Sequence, residues 1–321
     1  MGQRFFDAHS CLPLRPDSDL NQLRRHYDAG CRYVSINVGM DLNPLEQILR
    51  TIAGFRAQLA HSDFLQLVGT RAELAAAGAA DRLAVSFDLE GSLPLLELPE
   101  MVALYARLGV RQIHLAYNRN NSIAGGAHDV PQGLTPLGVK VVEAIHAEHL
   151  LMDLSHGDEK TALDICAVSG SRPGLYSHGN PRALVPHGRN ATDRAMRAVA
   201  ATGGLVCLNG VGSFLGDPEL KPASLVQHID YVVQLLGIDH VGLGLDYCYD
   251  DGIDDMPPNL DRAYWWPPSA GYGARGLSGR YLAPEALAEV WAGLGQRGYD
   301  SAAIDRIAGQ NLKGLLERVW L

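Results

Sequence analysis

Cysteine is scarce in this sequence, and its few cysteines follow no pairing pattern. The 321 residues contain five, at positions 11, 31, 166, 207 and 248, and none of them is in Cys-x-x-Cys spacing. An odd, dispersed set indicates neither a disulfide framework nor a zinc ribbon. We therefore expect a protein of a reducing compartment, the cytoplasm.

Basic charge and long apolar runs are also lacking. The formal net charge is −9, so no excess of lysine and arginine is available to bind nucleic acid or an acidic membrane. No apolar stretch is long enough to span a bilayer, and charged residues interrupt the first 20 positions, where a signal peptide needs an apolar core. We expect an unanchored protein with no nucleic-acid or membrane partner, whose ligand is a small charged metabolite.

What the sequence does have is a repeated alternation of short apolar runs and helical segments. With 321 residues and 47% hydrophobic content, the chain can bury one large core. The predicted strands are residues 4–9, 32–38, 83–90, 111–117, 150–155, 174–177, 204–209 and 240–246. Eight strands close a parallel barrel, so we predict an α/β fold, a (β/α)8 TIM barrel of the metal-dependent hydrolase type, formed by residues 1–321 as one domain.

The segments between these strands are less regular. Helices are predicted at residues 20–29, 94–108, 136–148, 159–168 and 192–201, and residues 64–68 form a ninth strand candidate that we interpret as an accessory hairpin strand. Residues 250–282, rich in proline, tryptophan and glycine, predict a long ordered loop after the eighth strand. In a barrel this loop rises over the active-site face, either as a lid or pocket wall or merely as a cap with buried aromatic side chains.

Polar residues crowd the carboxyl ends of the predicted strands, where an apolar barrel strand has no structural need of them. They are Asp7, His9 and Cys11 on the first strand, Asp88 and Glu90 on the third, Asp153 and His156 on the fifth, His178 on the sixth and Asp246 on the eighth. A metal ion needs imidazole and carboxylate donors that converge on one point. His156 and His178 are the surest ligands, and alternation along the strand lets His9 and Cys11 both reach one ion.

The motifs around these residues resemble those of the membrane (renal) dipeptidase family, peptidase family M19, with a bacterial type of member as the nearest pattern. Residues 133–193 contain Gly-Leu-Thr-Pro-Leu-Gly, Asp-Leu-Ser-His, Tyr-Ser-His-Gly-Asn-Pro-Arg-Ala-Leu and His-Gly-Arg-Asn-Ala-Thr-Asp in the family's order and spacing. Residues 237–244 and 307–312 look like the family's eighth strand and last helix. The resemblance implies a zinc metallopeptidase that cleaves the amide bond of dipeptides with a metal-bound hydroxide at a two-zinc site.

The resemblance also implies a role for each strand-end residue. Glu90 would bridge the two zinc ions and so take part in catalysis. His156 and His178 would bind the second ion, and His9 would bind the first. Asp246 would handle the proton that goes to the leaving amine.

Three further residues would contact the substrate. Arg189 matches the arginine that holds the substrate's carboxylate, and a planar guanidinium can bind a carboxylate through two parallel hydrogen bonds. Tyr117 and Asn118 stand where many members have a histidine that binds the substrate or its tetrahedral intermediate. A phenol can donate one hydrogen bond to an oxyanion but cannot carry a positive charge.

The first metal motif departs from the family pattern. The family has His-x-Asp, whereas this chain has His9-Ser10-Cys11. Two alternatives stay open: Cys11 is a thiolate ligand of the first zinc, or it is a buried free thiol and only one ion binds tightly. Asp7 is a less favoured substitute ligand.

The other histidines are interpreted as ordinary residues. Alternation places His114 on the face opposite to Tyr117, and His26, His61, His146, His149 and His228 are expected at solvated positions. His128 and His187 lie in loops above the rim, where they could support the site from behind the ligands.

The leading hypothesis is a zinc-dependent dipeptidase-like hydrolase acting on a small molecule. The alternatives are an amidohydrolase for another carboxylate-bearing amide, such as an N-acyl amino acid or a β-lactam, and a catalytically impaired binding protein of the same fold. A homodimer is left open.

Overall fold

The computed structural model describes residues 3–273 and 280–321, and ten strands within them form one sheet in which every pairing is parallel. The strands are β1 Phe5–Cys11, β2 Cys31–Met40, β3 Leu65–Leu67, β4 Leu83–Glu90, β5 Val110–His114, β6 Leu151–Asp153, β7 Gly174–Tyr176, β8 Leu205–Leu208, β9 Val241–Leu243 and β10 Tyr247–Cys248. Each of the eight predicted strands overlaps an observed one.

The sheet closes through its last two strands, which together form one interrupted barrel strand. β9 pairs with β8, and β10 pairs with β1, with Cys11 opposite Cys248. Between β9 and β10, the backbone N–H of Asp246 donates to the carbonyl of His9 at 2.9 Å. The fold is therefore the predicted (β/α)8 barrel, whose strands are buried on both faces, as the fully buried β4 illustrates.

Thirteen α-helical segments are found among the described residues, most of them around the sheet. They are α1 Arg24–Asp28, α2 Leu45–His61, α3 Arg71–Ala79, α4 Met101–Leu108, α5 Pro136–Ala147, α6 Glu159–Ser169, α7 Asp193–Ala201, α8 Gly212–Leu215, α9 Pro222–Leu236, α10 Arg262–Trp265, α11 Leu287–Gln296, α12 Ser301–Asp305 and α13 Asn311–Val319. Thr135, Asp158 and Thr192 cap α5, α6 and α7 by accepting a backbone N–H of the first turn. Each such cap stabilises its helix by about 1 kcal/mol.

Three predicted elements differ from the structure. β3 runs parallel to β4, so it is not a hairpin strand, because a hairpin requires antiparallel neighbours. The helix predicted at 94–108 begins only at Met101, since Leu96 and Glu97 have left-handed backbone after a short 3₁₀ turn. The helix predicted at 20–29 divides into a 3₁₀ turn, Leu20–Leu23, and α1.

The loop after β10 lies over the carboxyl ends of the strands. Its described part reaches the barrel through Asp255, which accepts the backbone N–H of Leu14 at 2.6 Å, and through Trp265, whose carbonyl accepts from Asn118 at 3.1 Å. Six positions of the predicted loop, 274–279, lie outside the described residues, as do residues 1–2. We propose that residues 1–321 form one barrel domain with this loop as its cover.

None of the helices in residues 3–273 and 280–321 combines the length and the hydropathy that a transmembrane segment needs.

Candidate metal centre

A cavity of about 570 Å³ opens at the carboxyl ends of the strands, beneath the loop that follows β10. Seven of the nine predicted site residues lie in its wall, and the other two, His9 and His178, contact Glu90 from the barrel interior. The wall includes Cys11, Glu90, Tyr117, Asn118, His156, Arg189, Asp246 and Cys248. Apolar side chains from Met40, Phe214 and Trp266 complete it. The cavity is thus polar at its floor and partly aromatic at its sides.

Glu90, His156 and His178 form one group, which we call the two-histidine half of the centre. The Nε2 atoms of His156 and His178 are 2.9 Å apart. They lie 3.0 Å and 3.4 Å from Oε1 of Glu90. All three side chains are buried, so their donor atoms face one another rather than water.

The protonation of these two imidazoles suits a cation. Nδ1 of His156 donates to Oδ1 of Asn118 at 2.8 Å. The lone pair of Nε2 is therefore free to bind a metal ion. Burial, followed by the positive charge of Arg189, lowers the pKa of His156 well below its usual value. Burial and, to a smaller extent, the charge of His9 lower the pKa of His178 well below its usual value. Two neutral imidazoles and a carboxylate that converge in this way form a donor set of the kind that binds zinc.

His9, Cys11, Asp246 and the shared Glu90 form the second group, the thiol half of the centre. Nε2 of His9 lies 3.3 Å from Oε1 of Glu90, 3.7 Å from Oδ1 of Asp246 and 3.4 Å from Sγ of Cys11. Its other nitrogen, Nδ1, contacts Asp88 at 3.3 Å. Glu90 therefore stands between the two halves, within 3.4 Å of an imidazole nitrogen on each side.

Burial governs the pKa values of the acidic groups. It raises the pKa of Glu90 to about 7 and that of Asp246 to about 6. Burial also opposes a charge on His9, but Asp88, Glu90 and Asp246 together outweigh it and raise the pKa of His9. A hydrogen bond to Cys248, together with burial, raises the pKa of the Cys11 thiol well above its usual value. A bound cation would favour the deprotonated form of these acidic groups.

Two buried aspartates hold the backbone beside the ligands. Oδ1 of Asp153 accepts from the N–H groups of Ser155 and Ser177 at 2.9 and 3.2 Å, one residue before His156 and His178. In the thiol half, Oδ1 of Asp7 accepts from the N–H of His9 at 3.2 Å and from that of Leu245, just before Asp246, at 2.8 Å. Each carboxylate thus ties together the two strand ends that supply one half of the centre.

The strand ends leave regular geometry at the site itself. Asn118, His156 and Asp246 have left-handed backbone, with φ of 62°, 65° and 54°. This conformation costs a residue with a side chain about 1 to 2 kcal/mol. The backbones at Gly244 and Ser177 also approach so closely that only glycine fits, because a Cβ at position 244 would overlap the carbonyl oxygen of Ser177. The chain accepts this strain where side chains must turn into the cavity.

Arg189 lies in the cavity wall and is 5% exposed. Its Nη2 has no hydrogen-bond partner among the described residues, and its guanidinium lies 5.7 Å from the centre of the Phe214 ring. A buried guanidinium nitrogen without a partner is costly, so this side chain is suited to bind an anion that enters the cavity.

Tyr117 and Asn118 occupy different positions relative to the cavity. The ring of Tyr117 stacks on His156 at 4.4 Å, and its hydroxyl accepts from Nε1 of Trp266 at 3.1 Å. The hydroxyl proton is therefore available for another acceptor. Both ends of the Asn118 amide are engaged, one by His156 and the other by the carbonyl of Trp265.

Three histidines were assigned to the wrong environment. His114 is fully buried beneath the centre, where its Nε2 contacts Asp153 at 2.5 Å and its ring lies 5.4 Å from that of His178. The alternation argument failed because β5 ends at His114, before Tyr117. His26 is also buried, between Asp7 and Tyr249. His228 is buried as well, so the expectation of solvated positions is wrong for both His26 and His228.

Comparison with known proteins identifies the family. The family model described as membrane dipeptidase (peptidase family M19) matches residues 41–267. The chain belongs to this family. It is thus a hydrolase of the metallopeptidase type, and the M19 peptidases are metal-dependent.

Curated relatives include several proteins described as dipeptidases. A protein described as uncharacterised, from the pqqA 5′ region of Klebsiella pneumoniae, is 30% identical over 69% of this chain and 76% of that protein. The dipeptidase ataJ of Aspergillus terreus is 27% identical over 81% of this chain and 63% of that protein. The chain spans between 46% and 63% of the length of the curated dipeptidases it matches.

Solved structures show the same fold. A metallopeptidase from Rhodobacter sphaeroides, liganded with a phosphinate mimic of the dipeptide L-Ala-D-Ala, matches with a TM-score of 0.80 at 21% identity over 100% of both chains. An amidohydrolase from Pseudomonas aeruginosa matches with a TM-score of 0.85 at 20% identity, over 99% of this chain and 97% of that one.

Proposed function

We propose that this M19 chain is a zinc-dependent dipeptidase that hydrolyses the amide bond of dipeptides with a free carboxyl terminus. The observation that carries the proposal is the position of Glu90, whose Oε1 lies within 3.4 Å of imidazole nitrogens of His9, His156 and His178. One carboxylate placed between two donor groups is the arrangement that a two-metal site requires. Two zinc ions are proposed, one for each half.

The ligand sets follow from the two halves. Glu90, His156 and His178 would hold one ion, and His9, Cys11 and Glu90 the other. When bound, the ions would supply Lewis acidity and activate the attacking water.

The protein's own side chains would position the substrate and move its proton. Arg189 would bind the substrate's terminal carboxylate through its unpartnered nitrogen. The Tyr117 hydroxyl would donate to the oxygen of the amide carbonyl as negative charge develops there. Asp246, in the cavity wall beside His9, would give a proton to the leaving amine. Asn118 would fix the orientation of His156 and line the cavity that receives the substrate.

Hydrolysis of a dipeptide panel tests this function. The panel should include D-configured C-terminal residues, N-acyl amino acids, β-lactams and dipeptide amides, and zinc should be measured in the same samples. We expect turnover of dipeptides, its loss with a chelator and its return with zinc. Protein that binds no zinc and cleaves no dipeptide would contradict the proposal, and a preference for N-acyl amino acids or β-lactams would redirect it to another amide.

Arg189→Ala tests the substrate assignment separately. A hydrogen bond to a charged group is worth about 1.5 to 3 kcal/mol, so kcat/KM for dipeptides should fall about 10- to 100-fold. The kcat/KM for dipeptide amides, which lack the terminal carboxylate, should change little. Arg194→Ala, at a surface position of α7, is the control. Equal losses for dipeptides and their amides would show that Arg189 does not bind the carboxylate.

The cytoplasmic location and the homodimer stay predictions.

A further inference from the structure

The thiol half of the centre contains a second cysteine that the first metal motif does not include. Cys248 lies on β10, directly opposite Cys11 on β1 in the parallel pairing. Side chains of paired residues in neighbouring strands project from the same face of a sheet. Both cysteines line the cavity, and both are free thiols.

The distances make the two thiols neighbours within one donor group. The donor atoms of Cys11, Cys248 and Asp246 all lie within 4.8 Å of one another. Cys11 also belongs to the group formed with His9 and Glu90, whose donor atoms lie within the same limit. Cys11 therefore connects Cys248 to the ligands already assigned to the first ion.

The local chain geometry directs Cys248 toward the cavity. Asp246 and Cys248 are two residues apart, and their side chains both line the cavity wall. The left-handed backbone of Asp246 ends the β9 segment, and β10 then joins β1. The same pairing that closes the barrel thus places the second thiol beside the first.

We infer that Cys248 is a ligand of the first metal ion, and that Cys11 and Cys248 bind it as a pair of thiolates beside Asp246. This inference rests on the proposed metal centre and specifies its chemistry. Thiolates together with imidazole are donors that catalytic zinc uses, and Cys11 is the donor that the thiolate pair shares with the group of His9 and Glu90. Thiolates favour zinc and cobalt over harder ions such as magnesium and manganese. The first site is thus a soft, zinc-selective site, whereas the two-histidine half keeps imidazole and carboxylate donors.

Cobalt substitution tests the thiolate pair directly. The full chain is purified with a reductant that keeps the thiols free, stripped with a chelator and titrated with Co²⁺. Thiolate coordination gives a near-ultraviolet charge-transfer band whose intensity increases with the number of Co–S bonds. We expect the band in the unmodified chain, about half its intensity per bound ion in Cys248→Ser and in Cys11→Ser, and none in the double variant. Cys166→Ser, on α6, is the matched control and should keep the full band.

Metal protection gives a second measurement that needs no variant. Cys11 and Cys248 should react with iodoacetamide in the stripped chain and become protected when Zn²⁺ or Co²⁺ is added, as peptide mass spectrometry will show. Full band intensity in a folded Cys248→Ser variant, or alkylation of Cys248 that zinc does not slow, overturns the inference.

Dipeptide turnover of the same preparations separates this inference from the proposed function. Dipeptide turnover by the zinc-loaded chain, together with no thiolate band in the cobalt-loaded chain, contradicts the thiolate pair and leaves the dipeptidase proposal intact. A thiolate band that halves in Cys248→Ser, without cleavage of any dipeptide, supports the pair and contradicts the dipeptidase proposal.

Discussion

The two halves of the metal centre are built on the same backbone arrangement but present different donor atoms. In the two-histidine half, Asp153 accepts the N–H groups of the residues just before His156 and His178. In the thiol half, Asp7 accepts the N–H of His9 itself and that of the residue just before Asp246. We call each aspartate, with the two strand ends that it holds, a frame. The donors that project from the frames are imidazoles in one half and an imidazole with thiols in the other. The comparison suggests that the frame fixes where an ion binds, while the side chains fix which ion is preferred.

The largest effect is expected at Glu90, which belongs to both halves. Glu90→Gln removes the negative charge that both ions would share, so we expect loss of both and a fall in kcat/KM of about 1000-fold or more, because Lewis-acid assistance is worth several kcal/mol. Metal content and dipeptide turnover check it. Glu97→Gln, at an exposed position, is the control. Retention of one full equivalent of zinc would show that Glu90 serves only one half.

The buried aspartates test whether each frame serves its own half. Residues that orient ligands typically affect metal affinity 10- to 100-fold. Asp153→Asn should therefore weaken zinc binding in the two-histidine half by about that factor, and Asp7→Asn should weaken zinc binding in the thiol half. Competition with a chromogenic chelator resolves the two affinities, and Asp63→Asn, at an exposed position, is the control. If both variants weakened both ions equally, the frames would be parts of one structure and the comparison would fail.

Cys11→Asp sharpens the difference in donor chemistry. A carboxylate in place of the thiol makes the first site harder, so its preference for zinc over manganese should fall about tenfold while that of the two-histidine half stays constant. Competition between the two metals, read by mass spectrometry of the bound ions, measures this. An unchanged preference would mean that Cys11 does not bind the ion.

The smallest effect is expected in the cavity wall. Trp266→Phe removes the N–H donated to the Tyr117 hydroxyl, and a single neutral hydrogen bond contributes about 1 kcal/mol, so kcat/KM should fall about fivefold with no change in metal content. Steady-state kinetics and zinc analysis check this. Loss of zinc in this variant would place the loop after β10 in the metal centre itself.

Much of the fold and the ligand positions could be predicted because they depend on local patterns. Each barrel strand is a short apolar run, and His156, His178 and Glu90 follow such runs directly. The pairing of Cys11 with Cys248 could not be predicted, since it joins positions more than 200 residues apart through closure of the barrel. The two-residue spacing of Asp246 and Cys248, the same as that of His9 and Cys11, was the only local signal for the second thiol.

The end of a strand accounts for one misplaced histidine, and a long-range contact accounts for another. His114 was assigned from its spacing to Tyr117, but the strand ends between them, so the two-residue period does not apply. The sequence predicted a solvated position for His26 on its short helix. In the structure its ring is buried against Tyr249, which is distant in the sequence. Both errors concern contacts that only the closed barrel creates.

The most direct test of the two-part centre is an anomalous-difference map from crystals of the zinc-loaded protein at the zinc absorption edge. The account predicts two peaks, one on each side of Glu90, with one beside His156 and His178 and the other about 2.3 Å from Sγ of Cys11. A map with no peak within bonding distance of Glu90 would contradict it.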